Sequence, residues 1–351
     1  MAQPHPSDFL IIGAGIIGLS TAYELSLSGA SVTVIDRGLV GRESSWAGAG
    51  ILSALLPWDY SLSVNRLTSL GAALYPQWVT KLEQAAGLMA EFAVSGMQVL
   101  PTFDSVAALR WCAENGFCAE ITAENNLWLP GVAQVRPPRL IAALKQTLLN
   151  RGVIIREGVE ALKLETKLGR VTSVATKTDK ITASQYVLTS GAWISNLLNN
   201  NNIISDMRPV RGEMLLYKCG PGRLKNIIYR DGKYVVPRRD GHLLVGSTVE
   251  ETGFDNRTTD AAKIELHAAG AAMFAPLAQL QPVRHWSGLR PGSKDNIPLI
   301  DRHPAWENCF INVGHFRYGL TMAPAAAKLL ACLIQGETPP ISFAPYGFTK
   351  K

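Results

Sequence analysis

The first 36 residues constrain this chain more than any other part of it. Phe9-Leu10-Ile11-Ile12 is a short apolar run, the mark of a buried parallel strand. Gly13-Ala14-Gly15-Ile16-Ile17-Gly18 follows, then a stretch from Leu19 to Ser28 with helical apolar spacing, closed by Gly29 as a C-cap. Ser31-Val32-Thr33-Val34-Ile35-Asp36 is a second, β-branched strand. The result is a βαβ unit carrying Gly13-x-Gly15-x-x-Gly18 at its first turn. Gly13 permits the tight turn, Gly15 lets backbone approach a pyrophosphate, and Gly18 lets helix pack on strand. The N–H groups of the helix N-terminus then face an anion. Asp36 stands at the end of the second strand, where a carboxylate meets ribose hydroxyls. Such a start commits the chain to an α/β fold with a parallel, Rossmann-like sheet.

Length and composition bound the rest. The chain has 351 residues, room for about two domains. With 47% apolar and 18% charged residues it is not a disordered chain. No apolar run approaches the roughly 20 residues of a membrane span. The five cysteines are scattered, with no C-x-x-C pair and no histidine cluster, which argues against a disulfide framework or a metal site. The N-terminus lacks the basic region of a signal peptide. A cytoplasmic protein is expected. The formal charge is +6, and it is unevenly placed. Between Arg208 and Arg239 nine basic residues face only Glu213 and Asp231, a local +7. Such a window is a nucleic-acid patch, a steering field for small anions, or a set of solvated strand faces, and the last accounts for most of it.

Along the chain, helices are expected over 66–92 (with Pro76 inside), 137–152, 259–274 and 323–334. Strands are expected over 153–164, 171–176, 186–189, 208–218, 233–237, 242–248 and 309–313. Asp240-Gly241 is a hairpin turn between two of them. Residues 93–130 read as mixed strand and loop, and Asn199–Asn202 as a boundary.

Two further glycine-rich stretches bear on the ligand. Ser44-Ser45-Trp46-Ala47-Gly48-Ala49-Gly50-Ile51-Leu52 is a run of mostly small side chains just past the ribose acid. Gly314-His315-Phe316-Arg317-Tyr318-Gly319-Leu320 lies at a strand-to-helix junction. Either alone can be an ordinary turn. Three such contacts along one chain suit an extended dinucleotide such as FAD better than a nicotinamide cofactor. Arg290, in Gly288-Leu289-Arg290-Pro291-Gly292, reads on pattern alone first as a surface Arg or a structural ion pair, and second as a planar fork that a rigid loop could present to a carboxylate. Tyr234 sits on a strand where its O–H can reach a bound acid, or where its ring simply packs. There is no P-loop, no H-E-x-x-H and no G-x-S-x-G elbow.

These residues together resemble the FAD-dependent amino-acid oxidase (D-amino acid oxidase) family, most of all its glycine-oxidising bacterial branch. The likeness runs nearly end to end, through IIGAGIIGLSTAYEL, ESSWAGAGIL, RPVRGEML, YVVPRRDGHLLVGST, WSGLRPGSKDNIPLIDRHP and GHFRYGLTMAPA. It implies that Ile16, Ile17, Asp36, Arg37, Ser44, Ser45, Ala49, Gly50 and Ile51 line FAD, beside Gly13, Gly15 and Gly18. Ala161, read as part of a strand after Gly158, would meet the adenine end. His315, Phe316, Arg317, Tyr318, Gly319, Leu320 and Thr321 would wrap the isoalloxazine. Arg290 would bind the substrate carboxylate, Tyr234 would support it, and Arg317 would sit beside the amino end. No cysteine falls where relatives tether their flavin, so the FAD would be non-covalent.

The implied reaction is oxidation of glycine or a similar small amino acid. Hydride passes from Cα to flavin N5, O2 goes to H2O2, and the imine is usable for the thiazole of thiamine. A D-amino acid or sarcosine oxidase or dehydrogenase of the same fold is the alternative, and an RNA-associated flavoprotein a weaker one. The partners implied are the small substrate, O2 and further copies of the chain, with no nucleic acid. Gly232 departs from the family, which can carry a His two residues before the pocket Tyr. Two intertwined domains are expected. Residues 1–85, 136–205 and 286–351 would form the FAD domain, and 86–135 and 206–285 an antiparallel substrate domain.

Overall fold

A computed structural model describes residues 6–54, 56–198, 204 and 206–348. The Asn199–Asn202 boundary lies outside them. The βαβ unit forms as read: strand Ser7–Ile12, helix Ile16–Leu27, strand Val32–Asp36. These strands sit in a six-stranded sheet. Its order is Leu299–Arg302, Cys309–Val313, Ala183–Leu188, Ser7–Ile12, Val32–Asp36, Ile154–Glu157. Every pairing is parallel except that of Leu299–Arg302. The central strands are buried on both faces, which is why they read as unbroken apolar runs.

An eight-stranded sheet makes the other half. From one edge it runs Arg284–Gly292, Arg208–Lys218, His242–Gly246, Lys233–Pro237, Ile227–Arg230, Met97–Val99, Leu127–Leu129 and Glu120–Ile121. Only the pairing of Ile227–Arg230 with Met97–Val99 is parallel. A smaller sheet joins Ile51–Leu52, Ala133–Gln134 and Ala93–Val94.

Three differences from the sequence reading matter. Residues 284–292 are not a loop but a strand, antiparallel to Arg208–Lys218. Its glycines and proline mimic a loop signal. In the register, however, Gly288 faces Gly212 and Pro291 faces Pro209, so small or N–H-less residues sit opposite one another at a sheet edge. This strand belongs by pairing to the eight-stranded sheet. Second, a helix spans Ser105–Glu114 within the stretch read as strand and loop. Asp104 caps it by accepting from Val106 N and Ala107 N, both at 3.0 Å. Third, the C-terminal helix starts at Gly319, with Pro324 inside it. The continuous stretch Phe316–Gln335 has 20 residues and mean hydropathy 1.2, enough by length and composition to cross a membrane, but 67% of its apolar window is buried in the protein. It packs on helices Ile16–Leu27 and Leu62–Ala86 as a core element. Its contact with the latter is close: a Cβ on Gly71 would lie 2.0 Å from Thr321 O.

Candidate cofactor and substrate site

The glycine turn is shaped by exclusion. Gly13 has φ +114°, and a Cβ there would come within 2.5 Å of the Thr189 carbonyl oxygen. A Cβ on Gly18 would lie 1.9 Å from Gly13 O. Helix and strand therefore touch with no side chain between them. Ile16 N, at the first turn of the helix, donates to Ser45 Oγ at 2.9 Å. Asp36 accepts from Ala14 N at 2.7 Å and from Gly38 N at 2.8 Å, which fixes its carboxylate at the strand end.

A cleft of about 330 Å³ opens over this turn. It joins Asp36, Arg37 and Ala161 at one end to Arg290, His315 and Arg317 at the other. Gly13, Gly15, Ile16, Ile17, Ser44, Ser45, Phe316, Gly319 and Leu320 also line it. A second cavity of about 70 Å³ shares Ser44, Gly48, Arg290, Arg317 and Leu320 with the first, so the two adjoin there. Ala49, Gly50, Ile51, Tyr234 and Tyr318 line the small cavity, not the cleft. Gly18 and Thr321 line neither. Gly18 serves packing, and Thr321 Oγ1 donates to Ile51 O at 3.2 Å. Ala161 reaches the cleft from the coil between strands Ile154–Glu157 and Lys163–Lys167, not from a strand.

Arg290 dominates the junction. Its guanidinium donates to Arg211 O and Thr248 O, both at 3.2 Å, and to Ser247 Oγ at 2.8 Å. All three acceptors are neutral, and no ion-pair partner for it is found among the described residues. Gly212 makes the space: a Cβ there would sit 2.0 Å from the guanidinium. Burial pulls the Arg290 pKa down to about 10, with Tyr234 opposing and Arg317 adding to the fall. It stays cationic at neutral pH. The buried Tyr234 side chain lies beside the Arg290 guanidinium, and its hydroxyl meets a weak acceptor, Met214 Sδ at 3.6 Å. One guanidinium nitrogen of Arg317 is buried without a partner, as is His315 Nε2. Burial alone pushes His315 down to about 3, so its ring is neutral. Phe316 holds φ +43°, a left-handed conformation that costs a side-chain-bearing residue about 1–2 kcal/mol.

Several contributors were not singled out in the sequence. Met214 and Ser247 line the small cavity, Gly212 and Gly246 give side chains room around it, and Trp193 lines the cleft with Arg37 stacked 3.8 Å over its ring. Gly212, Met214, Gly246 and Ser247 lie within segments that carry the family likeness, but no pattern assigns them a role; antiparallel register or a distant turn delivers each. Part of the basic window is paired with acids. Arg208 pairs with Glu251 at 2.8 Å, Lys233 with Glu265 at 2.7 Å, and buried Arg211 with Glu250 at 2.6 Å, all acids from outside the window. All five cysteines are unpaired.

The glycine turn without room for Cβ, the unpartnered nitrogens of His315 and Arg317, and a cleft reaching from Asp36 to Arg290 fit FAD. Comparison with known proteins agrees. The family model described as FAD dependent oxidoreductase (DAO) matches residues 8–333. The chain belongs to this family. It is thus an FAD-dependent oxidoreductase. It is 39% identical to the glycine oxidase of Pseudomonas aeruginosa, over 96% of this chain and 97% of that one. It is 31% identical to the bifunctional protein ThiO/ThiG of Synechocystis, over 97% of this chain and 54% of that one. The crystal structure of glycine oxidase from Geobacillus kaustophilus superposes with a TM-score of 0.92 at 25% identity, over 99% of both chains.

Proposed function

We propose that the protein oxidises glycine or a similarly small amino acid or amine to its imine, with O2 as acceptor. The observation that carries this reading is Arg290, a cation without a carboxylate partner at the junction of the FAD cleft and a small cavity. Its fork fits a substrate carboxylate. Tyr234 adds a second donor, since a sulfur contact is readily exchanged for an oxyanion. A carboxylate held there leaves the rest of the substrate where the two cavities adjoin, so position is this chain's main contribution. The residues lining the small cavity include no Asp, Glu or His. No side-chain base is therefore assigned. FAD bound along the cleft would supply the electron sink for the Cα hydride and the route of two electrons to O2, giving H2O2. The imine hydrolyses to a 2-oxo acid and ammonia, or serves thiazole synthesis for thiamine.

We place the FAD-holding part in segments 1–85, 136–205 and 286–351 and the substrate part in 86–135 and 206–285, with strand Arg284–Gly292 as the seam. No cysteine lines either cavity, which supports non-covalent FAD. Acid precipitation should release the yellow colour into the supernatant; a yellow pellet contradicts it. The test of function is H2O2 release with glycine, sarcosine and small D-amino acids. Turnover with glycine or sarcosine above larger D-amino acids is expected. Dye reduction without H2O2 from any of them would replace the oxidase with a dehydrogenase.

A further inference from the structure

Arg238 is a buried cation that the proposed reaction does not use. Its guanidinium donates to Gln134 Oε1 at 2.8 Å, to Val135 O at 3.2 Å and to Ala49 O. No ion pair to it is found among the described residues. Three neutral acceptors from two distant segments converge on one fork, an arrangement only a planar multi-donor group satisfies. The acceptors are themselves held close. Val135 N donates to Gly50 O at 2.9 Å, and a Cβ on Gly50 would lie 2.0 Å from Val135 O, with φ at +74°. Thr321 holds the far end of the same segment through Ile51 O. Residues 49–51 are thus fixed at both ends, and they line the small cavity but not the long cleft.

We infer that Arg238 is a positioning residue: its three-way clamp sets the 49–51 wall of the small cavity and thereby governs substrate affinity rather than cofactor retention. The inference rests on the small cavity being the substrate site. Arg238→Lys keeps the charge but replaces the fork with a single ammonium that cannot span all three acceptors.

The holoenzyme should be measured for FAD per chain, for kcat and KM with glycine, and for acetate binding by the change in flavin absorbance. The expected result is a rise of about tenfold in KM and in the acetate dissociation constant. kcat should change less than threefold, and FAD content should stay at the wild-type value. Unchanged KM and acetate affinity overturn the inference. So does a parallel fall of FAD content, kcat and affinity, the mark of a merely structural residue. Should Arg238→Lys not fold, Gln134→Met removes one acceptor and leaves both carbonyls. A rise of about threefold in the acetate constant is then expected, and no rise overturns the clamp. Wild-type enzyme that binds neither acetate nor any amino acid sinks the substrate reading itself, an outcome distinct from a silent variant.

Discussion

The six-stranded and the eight-stranded sheet border one continuous site, but they build their shares of it from different material. The parallel half uses backbone: a glycine turn, helix N–H groups and the carbonyl of Thr189, most of it within residues 13–48. The antiparallel half uses side chains. Arg290 lies opposite Val210, and Tyr234 opposite Gly246, so partners distant in sequence meet through register. The contrast implies opposite sensitivities. A backbone-built surface fails when volume is added, and a side-chain-built surface fails when a functional group is removed.

The largest effect should come from adding volume at Gly18. A valine there drives Cβ into Gly13 O, a contact of 1.9 Å with backbone that cannot yield. The cost exceeds the usual 1–3 kcal/mol of overpacking. Gly18→Val should abolish soluble, yellow holoenzyme, seen as loss of flavin absorbance in the purified fraction. A yellow, folded Gly18→Val protein breaks the comparison at its first term.

Removing Arg290 tests the second term. Arg290→Ala should raise KM for glycine about 100-fold, the 2–5 kcal/mol scale of deleting one partner of a buried charge pair. FAD content should change little, because the glycine turn is untouched. An unchanged KM for every amino acid tried would end the assignment. The pKa of about 10 adds a pH signature. As pH rises through that value the guanidinium loses its charge, so acetate binding to the wild-type holoenzyme should weaken above it.

The same contrast explains what could be read in advance. The βαβ unit was legible because its determinants are local: strand, turn, helix and terminal acid follow one another within 36 residues. Arg290 and Tyr234 stood out only weakly on pattern, since a lone Arg between Gly and Pro looks like a loop, and took their proposed roles from a family likeness. In the structure it lies in a strand paired from Arg284 to Gly292 with the strand Arg208–Lys218, Gly288 opposite Gly212. Arg238 and Met214 were invisible as site residues. Nothing in VVPRRDG says which arginine turns inward, and that is decided by carbonyls at positions 49 and 135.

A smaller effect sharpens the comparison at the cofactor cleft, which His315 lines just after the last parallel strand. Its folded pKa of about 3 lies below the ordinary 6.5. Between those values the unfolded chain binds a proton that the folded chain refuses. Stability is therefore full above pH 6.5 and falls as pH drops, by about 2 kcal/mol at pH 5 for this one group. His303, pushed to about 4 by burial, acts with the same sign. His315→Asn should lower the slope of unfolding free energy between pH 7 and 5 without removing it. An identical slope would mean that the ring is not buried neutral.

The smallest effect concerns the basic window, where the antiparallel half offers charge that looked like function. Arg208 is half-exposed and pairs with an exposed Glu251. Such pairs contribute less than about 1 kcal/mol. Arg208→Ala should shift unfolding free energy by under about 0.5 kcal/mol and leave KM unchanged. If the window instead served a polyanion, wild-type protein would retain RNA at low salt and release it steeply as salt rises, and this variant would flatten that release. The partners of Arg208, Arg211 and Lys233 argue against it, because each positive charge already faces an acid supplied by the neighbouring 250–265 segment. Arg290 and Arg317, the cations proposed to meet the substrate, lie outside the window and lack carboxylate partners among the described residues, and Arg238, the window residue proposed to act on the site, does so through neutral acceptors. A guanidinium held inside the protein by neutral acceptors, rather than the local density of arginines, is what points to the proposed site.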